Sequence, residues 1–310
     1  MAEVLHVLDL DLLAATVRLG TPLLFVALGA LLSERSGVLN ISVEGIMLAG
    51  AFAAALGAVV RPNPWAGVLA AVAAGLASGL LVAWMAVTVK AQQVVIGITF
   101  NVFSLGLTSF LYTVYFHRAD TSIVRTAGFQ RWDPPFLSDI PGIGTVLFQQ
   151  QPLVYIALAL LILLYLFLYG TAPGLAVRAT GEHARAADTV GINVSAVRYA
   201  CTIAGSVLAA LGGAYLALAE IKTFQPNMTA GRGFIGLAAV VFGKWHPLGA
   251  FLATLLFASA EALQFRLQGT GWISPSLMST LPYVLTILAL AGFVGRAQPP
   301  AEDGVPYIKE

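Results

Sequence analysis

The 310-residue chain is 58% hydrophobic and only 10% charged, against about 25% charged residues in ordinary soluble domains. It therefore reads as one integral-membrane domain over 1–310, leaving no room for a separate soluble catalytic domain. Its net charge of +1 offers no basic surface for nucleic acid, and a lone cysteine, Cys201, excludes an internal disulfide.

At the amino terminus, Glu3, Asp9 and Asp11 come before or among the first apolar residues and no basic residue precedes Arg18, a pattern unlike a cleavable leader. A helix needs about 20 apolar residues to cross a bilayer. The first such run is about 12–32, ending at Glu34-Arg35. The second, about 41–60, has Asn40 and Ser42 as candidate N-caps, puts Glu44 in the first turn, and is interrupted by Gly45, Gly50 and Gly57. Glu44 has two readings. It is either a first-turn acid favoured by the helix dipole or a pathway carboxylate, since ionisable groups at membrane depth are costly. The third run, about 65–89, carries Gly75-x-x-x-Gly79, a spacing that lets helix backbones approach closely.

In the fourth run, about 92–116, Asn101, Ser104, Thr108 and Tyr112 are spaced by three, four and four and share one face. Lipid cannot satisfy such a stripe, so it faces either a neighbouring helix or a water-filled path. Residues 118–150 form a polar loop with Pro134-Pro135, Trp132 and Phe136, which suggest order rather than a linker. Spans at about 152–170 and 196–219 follow, the latter with a small-residue face of Gly205, Ala209, Gly213 and Ala217.

Between those two spans, 178–192 predicts a short polar helix. Ala184, Ala186 and Ala187 favour it, Glu182 sits in its first turn and Gly191 can end it. Too short and too charged to cross a bilayer, it lies at the membrane surface, as a plain interhelical loop or as a grip for a soluble partner.

Residues 231–236 match G-x-G-x-x-G formally, but no strand precedes them and no acid follows about 20 residues on. They open a run, 234–243, too short for a comfortable span. A span at about 248–265 holds Glu261, for which Arg266 is poorly placed as a partner. A last span is expected at about 280–295 and a loose tail at 298–310. The expected fold is an all-α membrane protein, a bundle of about 8–9 transmembrane segments. Two of its runs, 41–57 and 231–243, are broken by glycine at matching places, which points to a transport site.

Three strings carry a resemblance: Glu34-Arg-Ser-Gly-Val-Leu-Asn40-Ile-Ser-Val-Glu44-Gly-Ile-Met-Leu-Ala-Gly50-Ala51, Arg178-Ala-Thr-Gly-Glu182 continuing through Ala186-Ala187 to Gly191-Ile192, and Gly233-Phe-Ile-Gly continuing to Lys244-Trp245. In this order along about 20–295, the chain resembles the permease subunits of bacterial ATP-binding-cassette importers, nearest the nucleoside and simple-sugar branch. That resemblance implies a bacterial cell-membrane location. It implies a second permease, two ATP-binding subunits and an extracytoplasmic solute-binding lipoprotein as partners, and 118–150 as an extracytoplasmic loop. It makes 178–192 the cytosolic coupling segment, with Gly181, Glu182, Arg185, Ala186, Ala187 and Gly191 as coupling residues. Glu44, Asn101, Ser104, Thr108 and Tyr112 become candidates for the translocation path. Simple-sugar and branched-chain amino acid permeases are the alternatives inside this class, and an ATP-independent carrier is the alternative outside it.

No G-x-x-x-x-G-K-[ST] phosphate loop occurs, so ATP hydrolysis is expected on a separate subunit. The four histidines lack metal-ligand spacing, and no cofactor or metal is expected. Paired carboxylates or an arginine–carboxylate relay in mid-span, expected of an ion-coupled carrier, are not evident. With 178–192 inside, basic residues divide evenly between the two sides, so the positive-inside rule does not choose an orientation.

Overall fold

A backbone in lipid has to satisfy its own hydrogen bonds, and every long apolar run described here folds as a helix. The computed structural model describes residues 10–116, 126–132, 144–268 and 297–309. The helices are α1 (Leu10–Arg35), α2 (Val43–Val60), α3 (Pro64–Thr88), α4 (Gln93–Tyr115) and α5 (Pro152–Gly170). After these come α6 (Ala172–Glu182), α7 (Ala184–Thr189), α8 (Val194–Glu220), α9 (Arg232–Phe242) and α10 (Pro247–Gln268). Seven of them, all but α6, α7 and α9, are long and apolar enough to span a bilayer, and no strand occurs among the described residues. The span expected at about 280–295 and most of the 118–150 loop lie outside the described residues.

Local signals explain the helix ends. Pro64, Pro152 and Pro247 open α3, α5 and α10, where a missing N–H is harmless. The Asn63 side chain accepts from the Trp65 amide to cap α3, and Asn193 accepts from the Ala196 amide to cap α8. Both α3 and α8 finish in a π-helical turn, Trp84–Thr88 and Leu216–Glu220.

Three helices form the centre. In their most apolar stretches α1, α2 and α8 are 72%, 67% and 78% buried, against 28% for α4 and 33% for α3 and α5. Helix α8 packs on α1, α2 and α3, and small residues permit the approach, as their spacing predicts. A methyl group added at Gly205 would lie 2.3 Å from the Gly29 carbonyl oxygen of α1, and one at Gly213 would lie 1.9 Å from the Met47 carbonyl oxygen of α2. Gly75 and Gly79 of α3 meet the α8 backbone at Val207 and Ile203. The outer helices turn large apolar side chains outward, Val102 and Phe110 of α4 among them, as lipid-facing surfaces do.

Helices α2 and α9 both begin inside the bundle. Asn101 lies eight residues past the start of α4, about 12 Å along it at 1.5 Å per residue, and it is Asn101 that meets Gly45 in the first turn of α2. Residues 36–42 therefore run back into the bundle from the end where α1 finishes. Helix α9, 11 residues long, reaches only about 16 Å, and its start is joined to that of α2.

Two expectations change. The segment 178–192 is not one helix: α6 starts earlier, at Ala172, and the chain turns a corner at His183 (φ −151°, ψ 83°) before α7. Gly191, at φ +88°, does terminate α7. The tail described at 297–309 is not loose. It lies against α6, α7 and α8, supplying partners to the buried Arg198 and to the Gly181 carbonyl.

The α1–α8 contact gives a direct test. Gly205→Ala should lower the thermal midpoint of the purified protein, with overpacking of about 1–3 kcal/mol or more outweighing the gain in helix propensity. Gly106→Ala, with nothing within 4 Å, should leave the midpoint unchanged or raise it, and equal behaviour of the two variants would refute the close contact.

Candidate functional site

The starts of α2 and α9 form one polar junction. Glu44, in the first turn of α2 and 9% exposed, accepts at Oε1 from the Gly231 amide (2.9 Å) and at Oε2 from the Gly233 amide (2.6 Å). Both N–H groups belong to the start of α9, whose first amides have no partner within the helix. Gly231 is left-handed at φ +87°, and a methyl group at Gly233 would stand 2.6 Å from Glu44 Cα, so glycine is required at both. The formal G-x-G-x-x-G thus binds a carboxylate of its own chain, on the same physics by which helix starts hold phosphates.

Helix α2 is capped in turn from α4. Ser42 takes the N-cap position without a capping side-chain bond. Instead Asn101 Oδ1 accepts from the Gly45 amide (2.7 Å), while its Nδ2 donates to the Ile41 carbonyl (3.0 Å). Ser104 Oγ donates to the Gly45 carbonyl at 2.5 Å. Thr108 Oγ1 donates to the Ser104 carbonyl of its own helix, and Tyr112 stacks on Phe116 and leans on Phe224. The α4 stripe accordingly faces protein, and two of its four members hold the start of α2. Gln93 joins them by accepting from the Leu39 amide at 2.7 Å.

A second cluster gathers where α1 ends. Arg35 Nε donates to the Trp245 carbonyl (2.8 Å), Trp245 Nε1 donates to the Glu34 carboxylate, and Arg35 Nη1 lies 3.7 Å from Glu182 Oε1. Gly181 is buried, with the Arg35 carbonyl oxygen 2.3 Å from where a methyl group would stand. Ala187 is buried in a small apolar cluster with Ala184 and Val194, against which Tyr307 packs. Glu182, Arg185, Ala186 and Gly191 are exposed. The expected coupling set is thus divided between a face turned inward and a face turned outward. Nearby, the His246 ring leans on Tyr165 and Tyr169, and burial followed by the charge of Arg35 lowers its pKa.

The tail completes this end. Arg198, 2% exposed, donates from Nη1 to the Val305 carbonyl (2.7 Å) and lies in the field of Glu302 and Asp303. The Glu302 amide donates to the Gly181 carbonyl (2.8 Å), and Lys309 pairs with Asp188 at 3.2 Å. Burial lifts the Asp303 carboxyl to about 7, opposed by Arg198 and by the Gly304 amide. Sequence reasoning gave Arg198 no role, although an arginine four residues into an apolar span signals an unseen partner.

At the opposite end, Glu261 finds its partner in Arg232, not Arg266: Arg232 Nη2 donates to Glu261 Oε1 at 2.8 Å and lies 3.9 Å from Glu220. The expected absence concerned a relay in mid-span; this cluster instead sits where α8 ends and α9 begins, with Glu261 reaching it from α10. Its members stand 29 and 12 positions apart in sequence, so helix spacing cannot reveal them. Among the described residues no cluster of His, Cys, Asp and Glu could hold a metal ion.

Known proteins share this sequence at length. The family model for the permease component of the branched-chain amino acid transport system matches residues 12–290. The chain is 39% identical to the guanosine ABC transporter permease protein NupQ of Bacillus subtilis, over 99% of each chain. It is 38% identical to the nucleoside ABC transporter permease protein NupC of Lactococcus lactis, over 93% of this chain and 94% of that one. A putative glucose ABC transporter permease protein, TsgC13 of Haloferax volcanii, is 34% identical over 93% and 92%. No solved structure matches.

Glu44→Gln leaves one acceptor for two buried amides and turns an NH2 group toward the other. It should destabilise the protein by about 1–3 kcal/mol, seen as a lower thermal midpoint, and an unaltered midpoint would show that the carboxylate does not hold α9. For the tail, a carboxyl whose pKa is raised when docked binds its proton more tightly there. That contribution to docking is full below the ordinary aspartate range and fades as pH rises through about 7. Arg198, Glu302, Tyr307 and Glu34 are the other ionisable groups of this pocket. Proteolysis of the tail should therefore speed up as pH rises through about 7, and Asp303→Asn should flatten the profile; the same pH dependence in that variant would exclude Asp303 as its source.

Proposed function

Since the chain belongs to the branched-chain amino acid transport system permease family, we propose that it forms the translocation path of an ATP-driven importer of nucleosides. It is a multi-pass cell-membrane protein, and an ABC importer permease works with ATP-binding and substrate-binding components. The observation that carries the nucleoside reading is the 39% identity, end to end, with a permease named for guanosine, joined by a second relative named for nucleosides. The 34% identity with a putative glucose permease supports simple sugars as the second reading.

In this reading the complex holds a second permease, two ATP-binding subunits that carry all the hydrolysis, and an extracytoplasmic binding lipoprotein that delivers the solute. The end bearing α6 and α7 faces the cytosol. Closure of the ATP-binding subunits presses on Glu182, Arg185, Ala186 and Gly191, the exposed part of the corner. Gly181 and Ala187, on its buried side, hand the displacement to α1 and α8. Those rigid helices carry it as a two-state movement to the junction of α2, α4 and α9, where Glu44, Asn101, Ser104, Thr108 and Tyr112 border the path. A polar, uncharged solute suits that junction, which is rich in hydrogen-bonding groups and has one carboxylate already engaged.

The test is uptake by the complete complex in proteoliposomes. Guanosine should enter only with ATP and should outcompete glucose; uptake without an ATP-binding subunit would overturn the class, and preference for glucose would overturn the substrate. Glu182→Trp, on the exposed side, should keep the thermal midpoint and ATP hydrolysis while cutting uptake about tenfold, a change equivalent to 1.4 kcal/mol. Normal uptake by that variant would remove Glu182, at the end of α6, from the contact with the ATP-binding subunits.

A further inference from the structure

We propose that the C-terminal tail, residues 297–309, is a coupling strap: anchored on Arg198, it makes α6 and α7 move as one body with the 36–42 segment that leads to Glu44. This rests on the reading of α6 and α7 as the place where the ATP-binding subunits press.

The need for a strap follows from the corner at His183. Helix α7 is six residues long, and helices shorter than about 12 residues are marginal on their own. Between α6 and α7 the backbone offers only local bonds, from the His183 amide to Ala179 and from the Ala187 amide to His183. A push on α7 would bend such a corner instead of travelling through it.

The tail crosses the corner and fastens both sides. On α6, the Gly181 carbonyl accepts from the Glu302 amide at 2.8 Å. On α7, Asp188 pairs with Lys309 at 3.2 Å, and Tyr307 packs on the cluster of Ala184, Ala187 and Val194. The same short segment reaches the re-entrant loop. A methyl group on Gly304 would stand 3.8 Å from the Leu39 side chain, and one on Gly37 would stand 3.2 Å from the Glu302 carbonyl oxygen and 2.7 Å from Arg198 Nη2. From Leu39, whose amide is held by Gln93, five residues lead to Glu44. A continuous line of contacts thus joins the outward face of α7 to the carboxylate that holds α9.

Arg198 fixes the strap to α8. Its guanidinium is buried, donates to the Val305 carbonyl and sits among Glu302, Asp303 and Tyr307. Nothing within α8 requires an arginine there; the tail does. Arg198 is therefore a positioning residue, acting through the tail and touching no solute.

The experiment uses the complete complex, with the chain ended after Gln298 and Arg198 changed to Met in the same variant, so that no uncompensated charge is left buried. Three quantities are read: retention of the ATP-binding subunit, its ATP hydrolysis, and nucleoside taken up per ATP. The expected result is full retention, hydrolysis within about twofold, and uptake per ATP reduced about tenfold. In the full-length chain Arg198→Lys should restore part of the uptake lost in Arg198→Met. Unchanged uptake per ATP, or release of the ATP-binding subunit along with the tail, would overturn the proposal, the second because the tail would then be a docking surface. A second measurement does not depend on the truncated chain folding. In an Asp188→Cys, Lys309→Cys variant, a thiol cross-linker joining the two positions should leave transport intact, because strap and α7 move together; arrest by the cross-link would mean that the tail has to let go. If tail removal uncouples transport but Glu182→Trp does not, it is the contact assignment on α6 that fails and not the strap.

Discussion

Two helix starts and one carboxylate form the constraint on which the interior depends. A helix that begins inside a membrane protein leaves up to four amides without partners, and in a lipid-filled surrounding each unsatisfied group costs several kcal/mol. This chain begins two helices there, α2 and α9, and meets the demand in relay. Asn101 of α4 caps α2, and Glu44 in the first turn of α2 caps α9. Neither helix can shift without disturbing the other. The sites of Gly45, Gly231 and Gly233 follow from this: side chains there would collide with Asn101 or Glu44, or would face the left-handed backbone at Gly231.

The three strings that carry the family resemblance are far apart in sequence and adjacent in space. Glu34 and Arg35 of one reach Trp245 of another, and Glu44 of the first reaches Gly231 and the Gly233 that opens the third. Arg35 and its carbonyl meet Glu182 and Gly181 of the remaining string. What looks like three separate motifs is one assembly running from the α6–α7 corner to the start of α9.

How far this could be read in the sequence depended on whether the relevant partner was local. Spans were legible because burial in lipid leaves an unbroken apolar run, and the observed α5 matches its expected bounds of 152 and 170. The small-residue face of α8 was legible because close packing needs a fixed spacing. The α4 stripe was legible as turned away from lipid, yet spacing alone could not choose between a water-filled path and protein, nor say that its partners would be the backbone of Ile41 and Gly45. Contacts between distant segments left no local trace. Arg232 with Glu261, Arg198 with Val305 and Trp245 with Glu34 each join separate elements. The tail looked loose because prolines and charges read as solvent-exposed when the groups they meet are unknown. The corner at His183 was missed because the alanines on both sides favour helix, and propensity is a weak prior against tertiary contacts.

Where the backbone is regular, the packing leaves little freedom. Gly29 with Gly205, and Gly213 with Met47, bring helices so close that sliding by a fraction of a residue would drive side chains into backbone. Close-packed interiors of this kind transmit displacement instead of absorbing it, so α1, α2 and α8 move as a unit or not at all. A change of shape has to be taken up where the chain departs from regular helix, and among the described residues 36–42, His183 and 221–231 are three such places. Those three places are also where polar groups substitute for helical hydrogen bonds: Gln93 and Asn101 at the first, the tail at the second, and Glu44 at the end of the third. A hydrogen bond of moderate net worth, about 1 kcal/mol, can be exchanged within a transport cycle, whereas a glycine contact between helices cannot. The division of the molecule into rigid helices and polar joints therefore follows from the same distribution of small and polar residues that builds the fold.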